Sequence, residues 1–481
     1  MARLSGAIGT VRRAVRPRRR PSVRYAAPLL MAVLILGATA EAAAQDAHYW
    51  TTQYGNRSRL LAGAVIGSVD DVSAVFYNPG ALALLEKAEL LLGGNVFEYT
   101  NVGYEGLVIG DVDLTSNRFK SLPAMIAGEF PFKFLGKNRL AYSYLVRADF
   151  DFRIRERGVL AGEDIGRPGL EDVAGDVRMD QDLTESWGGL TWARMLGEWG
   201  FGVSQFIAVR SQRTELQTLA QARTLEDEEL VALQNRDFRY TAWRILWRLG
   251  VNRIIDRWQF GVNVTSPSLS LGGSGDVGFD STFVVEENDP GVSGGIVTTT
   301  QEDLPARYKT PLSIGGGAAY SFGEGRRVHF AAEWFTDVQE YDVIDSEPFV
   351  SPENGDTLSF DISQELDGVF NAGVGIEYTF SDLLGGYGGF RTDFSARPEE
   401  LETGDFTSTI SRWNIYHVSA GSTFTVERSD FTLGLVFSFG KSEPFDPLVL
   451  LPGLRPPTDE DRMATANFTR ITVILGFGLD L

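Results

Sequence analysis

The chain has 481 residues, no cysteine and 53 glycines, and its 64 acidic residues outnumber the 44 Lys and Arg for a formal charge of −20. Disulfides and thiolate metal sites are excluded, and nucleic acid is excluded as a partner because phosphate binding needs the opposite sign. Three histidines leave no metal cluster, and no cofactor motif is present.

Residues 1–44 stand apart. Eight arginines (Arg3, Arg12, Arg13, Arg16, Arg18, Arg19, Arg20 and Arg24) precede an apolar run from Ala26 to Ala40, and Ala42-Ala43-Ala44 offers a small-residue cleavage site. This is the pattern of a secretory signal peptide. Its removal takes eight basic residues and Glu41, which leaves a mature chain near −27. No later apolar run reaches the roughly 20 residues of a spanning helix, so a membrane-spanning mature chain has to be a barrel.

Residues 45–88 read as a compact plug. Small apolar residues (Leu60-Leu61-Ala62-Gly63-Ala64-Val65-Ile66-Gly67) lead to an acidic pair, Asp70-Asp71, and then to Phe76-Tyr77-Asn78-Pro79-Gly80. The Asn-Pro-Gly triplet is a turn signal, rigid at Pro79 and permissive at Gly80, suited to a hinge or a wall-bonded anchor.

From residue 89 to 481 the chain alternates with period two. Tyr142, Tyr144, Val146, Ala148, Phe150, Phe152 and Ile154 fall on one face, with Ser143, Arg147, Asp149, Asp151, Arg153 and Arg155 on the other. Phe431, Leu433, Leu435, Phe437 and Phe439 repeat the pattern, as do Ile471, Val473, Leu475, Phe477, Leu479 and Leu481. The apolar faces stay free of charge over about 9 to 11 residues, the length of a tilted transmembrane strand. A lipid-facing Lys or Arg would cost about 2–4 kcal/mol at mid-depth, so that purity separates a membrane barrel from a soluble sandwich. Aromatic pairs (Trp199 and Phe201, Trp243 and Trp247, Trp258 and Phe260) mark the segment ends, as interfacial girdles do. The glycine excess lies inside these segments, which implies close packing of strands or a crowded interior.

Fourteen segments begin near Glu89, Ser121, Arg139, Ser186, Trp199, Asp237, Trp258, Pro311, Arg327, Gly368, Gly385, Arg412, Phe431 and Asn467. Short turns near Gly136, Gly197, Asp256, Gly323–Arg326, Ser381 and Glu427 interleave with long polar connections. The fold class is therefore an all-β, 14-stranded antiparallel transmembrane barrel of the up-and-down type, with an N-terminal hatch in the lumen. In the third connection, Thr224-Leu225-Glu226-Asp227 reads as a capping box, and Leu216, Leu219, Leu225, Leu230 and Leu233 read as the apolar faces of two short helices. Those faces either form a greasy entry site or simply cover the barrel mouth.

Asp70 through Leu82, placed just before the first strand, resembles the FadL-like family of outer-membrane transporters for hydrophobic compounds. The strand number agrees, and Asn371–Tyr378 followed by Gly388-Gly389-Phe390-Arg391-Thr392-Asp393 is similar to a late strand pair of that family. The family's hatch carries Asn-Pro-Ala where this chain has Gly80. The resemblance implies that cargo lands on the external loops, enters a pocket above the hatch, and leaves sideways through the wall. In the family a kinked third strand opens that route, whereas Tyr142 to Ile154 alternates here without Gly or Pro.

Apolar cargo needs few polar contacts, since each CH₂ removed from water contributes about 0.8 kcal/mol. A carboxylate cargo would meet inward arginines: Arg147, Arg210, Arg244, Arg248 and Arg391 fall on lumen faces. Structural pairing with Asp149, Glu333 or Glu377 is the competing role for each. Two other functional classes stand beside uptake. A secretion or envelope-assembly barrel would have a lumen filled with charge pairs and no cavity. A lipase barrel would need a Ser–His pair on or near the lipid-facing surface, while His329 and His417 point inward. The expected partners are a hydrophobic small molecule, outer-membrane lipid and the barrel assembly machinery, with the chain a monomer; Gly476, Leu479 and Leu481 resemble that machinery's terminal signal.

Overall fold

In the computed structural model the described residues are 47–481, except 106–111, 120–123, 162–169, 225–228, 288–290, 351–356, 399–405, 408–412 and 443–464. The expected signal peptide lies outside them. Fourteen strands form the wall. In chain order they are β1 (Glu89–Glu105), β2 in two pieces (Val112–Phe119 and Met125–Glu129), β3 (Asn138–Ala161), β4 (Leu170–Leu196), β5 (Trp199–Thr224) and β6 (Glu229–Ile255). Next come β7, also in two pieces (Trp258–Thr265 and Leu269–Glu287), β8 (Ser313–Gly323), β9 (Arg326–Phe335) and β10 (Val369–Ser381). The last four are β11 (Leu384–Asp393), β12 (Trp413–Val426), β13 (Ser429–Ser442) and β14 (Thr465–Asp480). Each pairs antiparallel with the next, and β1 pairs with β14 from Glu89↔Asp480 to Glu105↔Thr465, so the sheet closes on itself. Closure removes the exposed edges that an open sheet would carry.

All six expected short turns are present. Four reverse the chain in two residues through a left-handed one, Gly197 and Gly325 at φ 63 and 68° and Asp256 and Glu427 at 51 and 57°, while Gly136, at 61°, ends a longer connection that contains the 3₁₀ turn Lys133–Leu135. The outward face between the turns is apolar and exposed, with Ile207, Leu249, Val262, Ile376, Leu433 and Leu435 among its residues. Aromatics border it at the turn end (Trp192, Trp199, Trp258) and the loop end (Trp243, Trp334, Phe439). Arg253 lies 4.8 Å over the Trp199 ring, placing its charge at that border.

Past the loop-end border β3 to β7 continue as tall hairpins. Their outer faces become charged, with Arg213 paired to Glu215 and Arg239 to Asp276. Their inner faces stay apolar, with Phe150, Leu183, Phe238 and Val277 buried. Strand Gly291–Pro305 pairs with the upper piece of β7. Val338–Ile344 and Ile362–Leu366 pair with each other, and Val343, Ile344 and Ile362 are buried in the core beneath the hairpins.

The third connection differs from expectation. Residues 214–224 and 229–236 are strand, paired from Thr214↔Phe238 to Arg223↔Glu229, and the capping-box residues 225–227 fall outside the described ones. Cross-strand pairing down the whole β5–β6 ladder outweighs the helical spacing of the leucines. The period of two then splits them: Leu216 is buried on the inner face that holds Thr214 and Phe238, while Leu219 and Leu233 pair directly on the opposite face. Leu230 shares the inner parity of Leu216 and pairs with Ala222. They form no single apolar helix face.

Candidate functional site

Residues 47–84 occupy the lumen. Short helices Asn56–Leu60 and Ala74–Tyr77 and a 3₁₀ turn Pro79–Leu84 are almost wholly buried. They approach the wall where it carries glycine. A Cβ on Gly317 would stand 2.6 Å from Gly67 N, one on Gly389 2.6 Å from Leu61 C, one on Gly434 2.2 Å from a Leu60 methyl, and one on Gly476 2.1 Å from Asn56 Oδ1. These wall glycines are the clearance that the plug needs.

The hatch motif is a hook. Asn78 is fully buried, its Nδ2 donates to Ile66 O and Val251 O at 2.9 Å each, and its Oδ1 accepts the Gly80 N–H at 3.1 Å. Pro79 opens the 3₁₀ turn, where its missing N–H costs nothing. Gly80 has no positive φ. Its Cβ would lie 2.5 Å from Gly200 O and 2.7 Å from Gly250 O, so close approach, rather than hinge freedom, excludes alanine here. Wall side chains finish the hook: Ser204 Oγ donates to Val75 O at 2.7 Å, Asn252 Nδ2 to Gly67 O at 3.0 Å, and Arg248 and Asn263 to the Phe76 and Tyr77 carbonyls. Asn78→Ala should weaken plug seating by about 1–3 kcal/mol, the cost of stranding buried polar groups. Hydrogen exchange should then quicken over residues 60–84 with the wall strands unchanged.

The other hatch residues serve the same seating. Asp71 Oδ1 accepts the Ser73 N–H at 2.8 Å. The Tyr77 hydroxyl donates toward Gln53 Oε1 and Tyr54 O at 2.9 and 3.0 Å, and Phe76 meets Tyr54 edge to face at 4.6 Å. Asp70 joins a latch that the sequence reading missed. Arg57 bonds Glu377 through Nε at 3.0 Å and Asp70 through Nη1 at 2.9 Å. Arg327 reaches Glu377 at 2.9 Å and Asp70 at 3.3 Å, and His329 bridges Glu377 (3.2 Å) and Ser68 (2.7 Å).

The five candidate arginines divide. Arg210 and Arg244 both pair with Glu185, at 3.2 and 2.6 Å, and lie over Tyr308 at 4.0 and 4.7 Å. Arg248 pairs with Glu333 at 3.2 Å. Glu333 and Glu377 are thus counter-ions, as the sequence allows, and Glu185 is the one it did not single out. Arg147 sits 5.0 Å from both the Phe76 and Trp187 rings and donates to Tyr49 O at 3.1 Å. Arg391 donates to Trp50 O and Thr51 O at 3.0 and 2.9 Å. Among the described residues neither Arg147 nor Arg391 has a carboxylate within 4 Å.

Beside the plug is a cavity of about 460 Å³, lined in part by Arg59, Asn95, Ala124, Val146, Arg391 and Ser438. It meets the wall where β1 and β3 are irregular at one height. β1 shifts register between Asn95 and Phe97, β3 bulges at Arg147, and the two described pieces of β2 end at Phe119 and begin at Met125 beside them. Met125–Glu129 pairs with β3, whereas among the described residues Val112–Phe119 pairs only with β1. The last tie is Val146 N–H to Ala124 O at 2.9 Å. Above it, among the described residues, β3 has no ladder to β2.

The bulge also corrects the expected faces of β3. Below Arg147 the outward residues are Tyr142 and Tyr144, both exposed; above it Ala148 and Phe150 are buried on the inner face, opposite Glu185 and Leu183. One extra residue in one strand inverts the parity of everything beyond it.

A closed, even-numbered barrel with an apolar outer band and a lumen stoppered by its own N-terminal segment defines a plugged transmembrane barrel. The particular fold is that of the FadL-like transporters. The chain is similar to the CymD monoaromatic hydrocarbon channel at 11% identity and TM-score 0.51, covering 89% of this chain and 97% of that one. It is similar to the toluene transporter TodX of P. putida at 12% and 0.50, covering 89% and 98%. A FadL homologue of Pseudomonas aeruginosa matches at 13% and 0.50, covering 90% and 100%. No family model and no curated protein matches the chain.

Proposed function

We propose that the chain is an outer-membrane uptake channel for hydrophobic small molecules, long-chain fatty acids among them, in a bacterium of Gram-negative type. One observation carries this reading: the cavity beside the seated plug lies where, among the described residues, β3 above Val146 has no ladder to β2. Cargo entering from the loop end would rest against the plug and leave sideways above Val146 into lipid. The third strand thus carries the irregularity that its unbroken alternation did not foretell. A twelve-carbon chain held there would gain roughly 10 kcal/mol from burial, so an apolar path suffices without a motif. Support by analogy comes from the neighbours, which are channels or transporters rather than enzymes. On this reading the protein is no enzyme, works as a monomer, and is inserted by the barrel assembly machinery.

A secretion or assembly barrel would have the ion-paired lumen seen around Glu185 without a side cavity, and the cavity favours uptake. The test is the mass of lipid retained by the purified protein, compared with a variant lacking residues 50–80. The intact protein should carry bound amphiphile and the truncated one should lose it. An intact protein that purifies empty would overturn the reading.

A further inference from the structure

We propose that strand Gly291–Pro305, at the edge of the tall hairpins, docks a cationic peptide in extended form, which adds one more strand to the sheet. On one side it is laddered to the upper piece of β7, from Gly291↔Glu287 to Pro305↔Ser274. Among the described residues its other side has no ladder along 291–301, and only Ala306, just past its end, bridges to Ile344. In an antiparallel strand about every second residue turns its N–H and C=O away from the partner. The open side therefore presents a row of backbone groups ready for pairing.

Native edges are blunted by Lys, Pro or a bulge. Here the bulge lies at the lower end, between Gln301 and Leu304, and residues 291–300 contain neither Lys nor Pro. That run carries no charge and ends in Ile296-Val297-Thr298-Thr299-Thr300, β-branched residues that suit a strand. Ile296 is 62% exposed on the outer face, and Val297 is buried on the inner one. Glu347 sets the lower limit of the open edge. Its N–H donates to Gln301 Oε1 and its carbonyl accepts from Gln301 Nε2, at 2.7 Å each.

Charge selects the occupant. Residues 266–305 include seven acidic residues and no Lys or Arg, and the connection 336–368, which reaches the edge at Glu347, adds ten more acidic residues and again no Lys or Arg. Arg239, on β6, is already paired with Asp276. Arg307 and Lys309 lie past the strand's end, against Asp342 O at 2.9 Å and the Tyr341 ring at 4.3 Å. A second copy of this chain does not fit, because its edge would bring the same carboxylates against these, and like charges facing each other across a ladder destabilise it. A segment that alternates Lys or Arg with Val or Thr does fit. Its apolar side chains would extend the inner face of Val297, and its cations would lie among the exposed Asp280, Glu302 and Asp303. Main-chain bonds then supply affinity and the carboxylates supply selection. The edge lies outside the bore, so its binding is separate from uptake.

The test is fluorescence anisotropy of a labelled peptide of alternating Lys and Val, about ten residues long, the reach of one strand. It is titrated with the purified protein in a nonionic detergent at low ionic strength, where exposed charges act furthest. Saturable binding is expected, and the matching peptide of alternating Glu and Val should show none. Methylating alternate backbone nitrogens of the Lys–Val peptide removes ladder donors and keeps the charge, and should weaken binding at least about tenfold. Thr298→Lys sets a cation on the edge and should weaken it as much, whereas Ser211→Lys, at an exposed hydroxyl inside the hairpin sheet, should stay within about twofold. Absence of saturable binding would overturn the inference. So would undiminished affinity of the methylated peptide, or equal losses in Thr298→Lys and Ser211→Lys, since either reduces the edge to diffuse attraction. Self-association of the protein that Thr298→Lys abolishes would overturn it too, by assigning the edge to a second copy.

Discussion

Glu185→Gln should destabilise the barrel by about 3–5 kcal/mol, the cost of breaking a buried ion pair from one side. Glu185 is 6% exposed and is the shared counter-ion of Arg210 and Arg244; it also accepts the Trp187 indole N–H at 2.7 Å. The amide keeps the shape and removes the charge, leaving two buried cations facing each other. Reversible urea unfolding in lipid vesicles would measure the loss. Glu215→Gln is the matched control: its pair with Arg213 is solvent-exposed, and such pairs contribute about 0–1 kcal/mol. If the two variants unfold alike, the charge cluster is not a structural element, and Arg210 and Arg244 return as ligand candidates.

Gly250→Ala and Gly261→Ala should open the bore. A Cβ at 250 would stand 2.2 Å from Asn78 Oδ1, and one at 261 would stand 2.4 Å from Asn78 Nδ2 and from Ile66 O. On the wall side these neighbours are backbone strands in a closed ladder, so the hook has to yield. It would lose the hydrogen bonds that Asn78 makes to Ile66 and Val251, at about 1–3 kcal/mol for each stranded group. Single-channel recording in a planar bilayer should show persistent open events at least about tenfold more frequent than in the parent, by the arithmetic of a 1.4 kcal/mol shift. Gly188→Ala meets nothing within 4 Å and should be silent. Unchanged conductance in both hook variants would mean that the Asn78 contacts do not hold the plug.

The wall is legible in the sequence because its physics is local. An apolar band, a two-residue turn and a period of two repeat with little dependence on distant residues, and each of the six short turns falls where the sequence places it. The parts that are not legible depend on contacts between remote segments. Along β3 the written alternation runs unbroken through Arg147 while its meaning inverts: below, apolar side chains face lipid, and above, they face the core under the hairpins. Only the ladder with β4 shows the extra residue. The leucines of β5 and β6 satisfy a helical template as well as a strand, and partners up to 20 residues away in the hairpin decide between them. Arg57 and Arg59 were hidden differently, as two charges within a stretch read as apolar. Charges in a segment destined for burial are themselves a signal that counter-ions or ligands await them.

The fit between plug and glycine-lined wall has a consequence for biogenesis. At Gly202, Gly317, Gly389 and Gly476 even an added Cβ would stand under 3 Å from the plug, which leaves no room to thread a finished stopper through a finished ring. The zipper between β1 and β14 must therefore shut around a leader already in place, as a ship is built before its bottle is sealed. A synthetic peptide of residues 47–88 added to refolded, leader-less barrels should fail to enter, yet should be captured when present as folding begins; entry into the closed ring would show that the wall breathes far more than its ladders imply.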